Sequence, residues 1–457
     1  MDDSLFENFI PVSEKQWKQK IQFDLKGKEY NETLSTKTKD GIVINPIHHI
    51  DSYKQVVSDR STHDFKIGQT IFIADERVAN SIARKAIKGG VESILFKASG
   101  PFDIQIALRN IPITIELQFE FDFLSESFLT DLINHTEKYT TLLNLDIIGN
   151  LGKEGNWFTT LQNDFKAFNV LLNHTSQNSI VFAIDTANYQ NSGATITQQI
   201  GFALAHGFEY INHFLNVTDV RKEKRLDFNV NFAIGSNYFF EIAKLRAFRT
   251  VWASICNDLG LQSKLHITAS PSMRNKTLYD YNTNMLRTTS ESMSAILGGA
   301  NTVCNLAYDS IYHKSNAFGE RIARNQLLIL KKESYLSNAS QMVNGSYYVE
   351  YLTKEIAEKS LELFKEIEKN GGFLKQLKLG NIQDSIEKSA TKEQELFEDG
   401  SIVLLGTNKH TNTSDTMKNE LELYPFVKTN PRKTLIKPII AKRLSERLDQ
   451  ERLKNEA

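Results

Sequence analysis

Residues 70–97 read TIFIADERVANSIARKAIKGGVESILFK, and the order of patterns inside that stretch decides the fold class. Thr70-Ile71-Phe72-Ile73-Ala74 is a short β-branched run, the composition that suits a pleated and half-buried strand. An amphipathic helix follows, with Val78, Ile82 and Ile87 on one side and Arg84, Lys85 and Lys88 among them. Gly89-Gly90 then closes the helix, because the left-handed residue after a last turn is cheapest as glycine. Ser93-Ile94-Leu95-Phe96-Lys97 is a second strand run. Strand, helix, strand at this spacing is a βαβ unit, which places the two strands in parallel.

The unit repeats downstream. Further strand candidates are Ile113–Phe119, Leu143–Ile148, Ile180–Asp185, Phe228–Ile234, Leu265–Ala269 and Thr302–Leu306. The first of these begins just after Pro112, which a strand tolerates at its edge and not in its middle. Helical patterns separate most of them, the clearest being Ala194–His213, Tyr238–Leu259, Asn284–Leu297 and Phe318–Leu330. About eight βα units over roughly 250 residues is the size of a (β/α)8 barrel. Strand order is not written in a sequence, so a doubly wound open sheet stays as the second α/β arrangement. Two flanks fall outside the alternation. Residues 1–60, with Trp17, Asp24-Leu25-Lys26-Gly27 and Gly41-Ile42-Val43-Ile44-Asn45-Pro46, read as an arm that lies on something larger. Residues 61–375 hold the barrel, and after Gly371-Gly372 the chain turns helical and charged, so 376–457 read as a helical extension. Leu444 and Leu448 among charges make its end a surface helix or a frayed tail.

Composition narrows the function. With 54 Lys+Arg against 55 Asp+Glu, there is no basic excess of the kind a nucleic-acid binder carries. Two cysteines, Cys256 and Cys304, exclude a disulfide framework and a four-cysteine metal site. The 8 Pro and 23 Gly leave no long disordered stalk. Met1-Asp2-Asp3-Ser4 is acidic where a signal or transit peptide is basic, and no uncharged apolar run approaches the ~18 residues of a membrane span. A cytoplasmic protein without membrane association is expected.

No residue pattern announces an active site. The histidines stand at 48, 49, 63, 135, 174, 206, 213, 266, 313 and 410, without His-Glu-x-x-His spacing. His206 and His213 share a helical face two turns apart, on the order of 10 Å, too far to share a metal directly. Walker and Gly-x-Gly-x-x-Gly loops are missing, and Gly298-Gly299 reads as a helix stop. There is no Gly-x-Ser-x-Gly elbow, and both cysteines lie in apolar surroundings that favour inert packing. Asp185 and Asp309 end strands, where a barrel keeps its chemistry, but capping of the next turn is the more economical reading of each. Such a chain fits an enzyme whose chemistry belongs to a bound cofactor.

Arg287-Thr288-Thr289-Ser290-Glu291-Ser292-Met293-Ser294-Ala295-Ile296-Leu297-Gly298-Gly299-Ala300 resembles the Arg-Thr-Thr-x-Glu-Ala-Met-x-Ala-x-x-Gly-Gly segment of methylmalonyl-CoA mutases. Glu241–Ala247, Arg321–Gln326, Gly345–Glu350 and Leu352-Thr353 are similar to further blocks of that family, as are Trp17, Asp24–Gly27 and Gly41-Ile42. The resemblance runs in order from about residue 10 to 375. It implies a TIM barrel in an adenosylcobalamin-dependent isomerase that interconverts methylmalonyl-CoA and succinyl-CoA through radicals. It also implies a following flavodoxin-like domain whose Asp-x-His-x-x-Gly histidine ligates cobalt. That motif does not occur in these 457 residues, so no cobalamin-binding flavodoxin-like domain is expected here and the chain ligates no metal itself.

The barrel departs from the family at the substrate. Where the resemblance places Ile-Arg-Gln-Tyr-Ala-Gly-Phe, in the register fixed by Asn80, this chain has Ile67-Gly68-Gln69-Thr70-Ile71-Phe72-Ile73. Gly68 thus replaces the implied arginine and Thr70 the implied tyrosine, both substrate contacts. Tyr-His-Met-Gln-Glu-Ala-Gly-Ala becomes Ala187-Asn188-Tyr189-Gln190-Asn191-Ser192-Gly193-Ala194, so Asn188 replaces a histidine that holds the thioester carbonyl. An amide still donates one hydrogen bond but is no acid. Gln-Thr-Ser-Gly appears as Ser270-Pro271-Ser272-Met273, while Gln190 and Glu291 survive. No catalytic residue is therefore expected, and Gly68, Thr70, Asn188, Gln190 and Glu291 are read as vestigial active-site positions. A kept fold with a lost site resembles the family's small, non-catalytic subunit, which pairs with a catalytic large subunit in a heterodimer and acts in propionate metabolism. The alternative is an acyl-CoA mutase barrel that works with a separate cobalamin-binding chain.

Overall fold

A computed structural model describes residues 9–53, 64–172, 178–216, 225–428 and 431–456, with the side chains of 338–340 also left aside. The outer parts of the arm, 1–8 and 54–60, lie outside the described residues, as do His63 and His174. Two short strands, β1 (Thr36–Lys37) and β2 (Val43–Ile44), pair antiparallel within the arm. Eight more follow: β3 (Lys66–Phe72), β4 (Ser93–Ala98), β5 (Glu116–Phe121), β6 (Thr141–Leu145), β7 (Ser179–Asp185), β8 (Phe228–Ile234), β9 (Leu265–Pro271) and β10 (Thr302–Cys304). They pair in parallel in sequence order, and β10 bonds to both β9 and β3, which closes the barrel. Closure settles the choice between barrel and open sheet.

Strand periodicity sorts the side chains. Outward residues meet the helices: Phe182 of β7 packs on Phe168 at 3.9 Å between ring centroids, Phe228 of β8 on Trp252 at 5.1 Å, and Phe232 on Phe248 at 5.2 Å. The apolar core is thus a ring between sheet and helices. Gly90 and Gly299 take φ of 99° and 85° at the ends of helices Glu76–Lys88 and Thr283–Leu297, as their sequence positions require.

Most strand limits differ from the sequence reading by a residue or more, β10 for example ending at Cys304 and not at Leu306, and three of the differences have a clear cause. β3 starts at Lys66 and not at Thr70, because Lys66 points into the barrel and bonds Glu116 of β5. β5 starts at Glu116, since residues after Pro112 form a turn closed by the Ile115 amide on the Pro112 carbonyl. β6 ends at Leu145, because the Asp146 side chain accepts from the Gly149 amide at 2.7 Å and caps helix Ile147–Glu154.

The arm has two characters. Helix Glu14–Asp24, opened by a Ser13–Gln16 capping box, has no buried residue, and Phe9, Ile10 and Phe23 are exposed. Residues near 40 dock firmly: Ile42 is fully buried, Asp40 accepts from the Thr197 amide at 2.8 Å, and Tyr351 donates to the Val43 carbonyl at 2.6 Å. At the other end, helix Asn381–Glu398 is followed by a non-helical stretch before helix Glu446–Asn455. That last helix is docked and not frayed, since Leu444 is buried with Phe397 and Leu404. Before it, a strap from Leu435 to Leu444 runs over the rim. The Ile439 amide donates to the Gly152 carbonyl (2.8 Å), Lys442 to Asn191 (3.0 Å) and Leu444 to Arg274 (2.8 Å). It therefore crosses the loops that follow β6, β7 and β9. Among the described residues, no helix is long and apolar enough to cross a membrane.

Candidate functional site

Parallel strands deliver their C-terminal ends to one mouth, and aspartates recur just beyond them. Asp75, Asp103 and Asp146 cap the helices that follow. Asp185 accepts from the Ala187 amide at 3.1 Å, and Asp309 accepts from Asn316 Nδ2 at 2.7 Å and from His313 Nδ1 at 3.2 Å. Both therefore serve the turns they precede, as the sequence suggested.

The barrel axis below the mouth is filled by polar side chains. At the N-terminal end Glu116 accepts from Lys66 Nζ (2.8 Å), Ser93 Oγ (2.9 Å), Thr302 Oγ1 (2.8 Å) and Gln118 Nε2 (3.0 Å). Thr268 Oγ1 continues the chain, within 3.1 Å of both Gln118 Oε1 and Asn229 Oδ1. Asn229 Nδ2 then donates to Asn144 Oδ1 at 2.7 Å and Asn231 Oδ1 at 3.0 Å. Burial alone would raise the Glu116 carboxyl, but His266 beside it, then Lys66 and the Thr302 hydroxyl, outweigh it and hold it down to about 2. Hydrogen bonds of this kind stiffen the barrel interior, although Asn144 Nδ2 is left without an acceptor among the described residues.

The five positions read as vestigial lie as follows. Gly68 faces the interior beside Cys304 of β10, its ladder partner, and a Cβ at 68 would clash with Cys304 Sγ and stand 3.0 Å from Thr302 Cγ2. Thr70 is partly buried two residues on, on the same inner face of β3. Asn188, on helix Ala187–Asn191, donates its Nδ2 to the Ile439 carbonyl of the strap at 3.3 Å. Gln190 accepts from Gln199 Nε2, and Gln199 in turn accepts from the buried Lys244 at 3.0 Å. Glu291 is enclosed with Lys276, whose Nζ lies 2.8 Å from Oε2 and 2.9 Å from Oε1, and Asn275 Nδ2 donates to it at 2.7 Å. The structure thus keeps Gly68 and Thr70 on one strand and Asn188 and Gln190 on one short helix, but hydrogen-bonds none of the five to another among the described residues.

The family model described as "Methylmalonyl-CoA mutase" matches residues 130–455. The chain belongs to the methylmalonyl-CoA mutase family. It is 31% identical over 466 residues to the methylmalonyl-CoA mutase small subunit of Porphyromonas gingivalis, an alignment covering 92% of this chain and 73% of that one. The large subunit of the same organism is 33% identical over 249 residues, covering 52% of this chain and 34% of that one. The methylmalonyl-CoA mutase of Rhizobium meliloti is 37% identical over 239 residues, covering 50% of this chain and 33% of that one. The alignments thus span only about a third of the last two relatives.

The family resemblance implies adenosylcobalamin, whose cobalt a protein histidine would hold. His206 has both ring nitrogens engaged, Nε2 on Asp146 at 2.9 Å and Nδ1 on the Tyr189 hydroxyl at 3.0 Å. His266 is buried with Nε2 against Thr302 Oγ1 at 3.1 Å, and His213 Nε2 meets Asn169 at 2.7 Å. These imidazoles are built into the barrel wall and do not fit a cobalt ligand. Among the described residues, no group of three or more His, Cys, Asp or Glu side chains is placed to hold a metal ion. Cys256 and Cys304 are free and buried, and burial pushes their thiols up to about 11 and about 12, so both are unreactive packing.

Two features escaped sequence reasoning. The Tyr189–His206–Asp146 chain, to which Tyr210 adds a 2.7 Å bond onto Asp146, joins residues separated by up to 64 positions. No local spacing signals it. The axis network was signalled, by polar residues at every second position in Glu116-x-Gln118-x-Glu120, Asn229-x-Asn231 and His266-x-Thr268-x-Ser270.

Proposed function

We propose that this chain is the small subunit of an adenosylcobalamin-dependent methylmalonyl-CoA mutase heterodimer, that it is itself non-catalytic, and that it stabilises a catalytic large subunit. The observation that carries this reading is the fate of the substrate-contact positions. Gly68 is pressed against Cys304, and Asn188 is spent on the strap. A radical isomerase needs an open, dry pocket with donors fixed on the thioester oxygen. The polar network from Lys66 to Asn231, which runs where such a pocket would lie, supports this reading.

On this reading the cofactor is held by the partner. Residues 1–60 form the arm that grips the large subunit, residues 61–375 the barrel, and residues 376–457 the extension that packs on the rim. The exposed side chains of Phe9, Ile10 and Phe23 beside helix Glu14–Asp24 give such an arm an apolar contact face. The complex works in the cytoplasm. Co-expression with a cobalamin-binding large subunit, tagging this chain alone, tests the pairing. An equimolar complex with mutase activity is expected, and a chain that purifies alone from such cells would overturn it.

A further inference from the structure

Against the barrel mouth, between the ends of β5, β6, β7 and β8, lies a cavity of about 60 Å³. Asp185 on its wall makes no ion pair within 4 Å among the described residues, and the nearest cations, Lys153 and Lys97, act on it only at longer range. Lys97 Nζ is 2.8 Å from Glu120, Lys153 Nζ stands 3.9 Å from Asp122, and His206 bonds Asp146. A second carboxylate abuts Asp185, whose own amide donates to Asp146 Oδ2 at 2.8 Å. Burial, then Glu120 and Asp146, push the Asp185 carboxyl up to about 6. Lys153 and Lys97 offset that rise only in part.

A separate observation points the same way. Asn144 also lines the cavity and is 8% exposed. Its Oδ1 is satisfied by Asn229, but its Nδ2 finds no acceptor among the described residues. A buried donor left bare costs about 1–3 kcal/mol, so an oxygen placed there is stabilising. Phe121, Phe123 and Phe158 also line it, and aromatic faces attract cations; Lys153 is the one cation in the lining, against Glu120, Asp122, Asp146 and Asp185.

We propose that this cavity binds a small primary ammonium compound carrying one neutral oxygen acceptor, the ammonium on Asp185 and the ring faces, the oxygen on Asn144 Nδ2. At ~10–15 Å³ for each water-sized group, the volume admits about four to six heavy atoms. A ligand carboxylate is disfavoured, since Glu120, Asp122 and Asp146 already surround the space. Occupancy does not depend on pairing with another subunit.

Titration calorimetry of the full chain with ethanolamine at neutral pH tests the site, with ethylene glycol as a neutral probe of the same heavy-atom count. Saturable binding of ethanolamine is expected, with none of ethylene glycol, and Asp185→Asn and Asn144→Ala should each weaken it by about tenfold or more. Thermal melting of ligand-free Asp185→Asn gives a second reading: removing an only partly compensated charge should leave the melting temperature equal or higher. No saturation by ethanolamine, equal binding of ethylene glycol, or an affinity indifferent to Asp185→Asn would overturn the proposal. So would a clear drop in the Asp185→Asn melting temperature, which would mean that a cation already neutralises the carboxylate.

Discussion

Gly68 offers the sharpest test of how the barrel interior is packed. Its φ lies outside the left-handed region, so the backbone itself accepts alanine. Space is what forbids it: the new Cβ would clash with Cys304 Sγ, approach Thr302 Cγ2 to 3.0 Å and the Val303 carbonyl to 3.2 Å. Overpacking of this kind costs about 1–3 kcal/mol. The stiffer unfolded chain of the alanine variant returns about 0.4–1 kcal/mol. Gly68→Ala should therefore lose about 1–2 kcal/mol net. Cys304→Ala alone should lose about 1 kcal/mol by leaving a small void. Together the alanine methyl at 68 takes the room the sulfur vacated, so the double variant should be more stable than the sum by about 1 kcal/mol or more. Urea unfolding followed by fluorescence of the buried Trp157 and Trp252 measures all four corners of the cycle. Strict additivity would refute the packing argument. The same contact explains why an arginine has no place at this position.

Three further perturbations follow from the charges. Lys276→Met strands Glu291 in a site where both side chains are about 1% exposed, and should cost about 3–5 kcal/mol; adding Glu291→Met should recover most of it, and denaturant midpoints decide. Burial and Glu209 raise Glu368 to about 7, so its ionised form is disfavoured in the fold and stability falls as pH rises through that value. Glu368→Gln should match the wild type near pH 4.5 and exceed it at pH 8 by about 1 kcal/mol after discounting for solvent screening, and a single stability curve that never crosses into gain would refute it. Glu116 has the opposite sign. Held at about 2, it contributes stability that is full above its ordinary value and fades as pH falls through about 2. Glu116→Gln should flatten the acid limb of the pH–stability profile, and an unchanged limb would contradict the ion-pair geometry.

The barrel was legible because its outward faces obey simple rules. β8 falls on Phe228–Ile234 as read, and helix Tyr238–Asp258 differs from its reading by one residue, since Phe228, Phe232, Phe248 and Trp252 carry strong apolar signals. Errors gathered where the inward face is polar. Lys66, Gly68 and the Glu116–Glu120 alternation look unlike strand to a reader expecting the continuous apolar runs of a parallel sheet. The strap was invisible for a different reason: its backbone bonds go to Gly152, Asn191 and Arg274, far away in sequence, and leave no local pattern. Gly68, Thr70 and Asn188 stood out through the family resemblance, which implies arginine, tyrosine and histidine there. What these positions touch was not readable, because Cys304 meets Gly68 only through barrel closure, and Asn188 meets Ile439 only through the strap.

The central claim is that this chain supports a mutase without performing its chemistry. The direct test is turnover of methylmalonyl-CoA by the purified complex of this chain with a cobalamin-binding large subunit, comparing wild type with Thr70→Ala and Asn188→Ala in this chain alone. Unchanged turnover at equal complex recovery is the expected result. Loss of turnover in an intact complex carrying Asn188→Ala would mean that this barrel holds a working site, and would contradict the account.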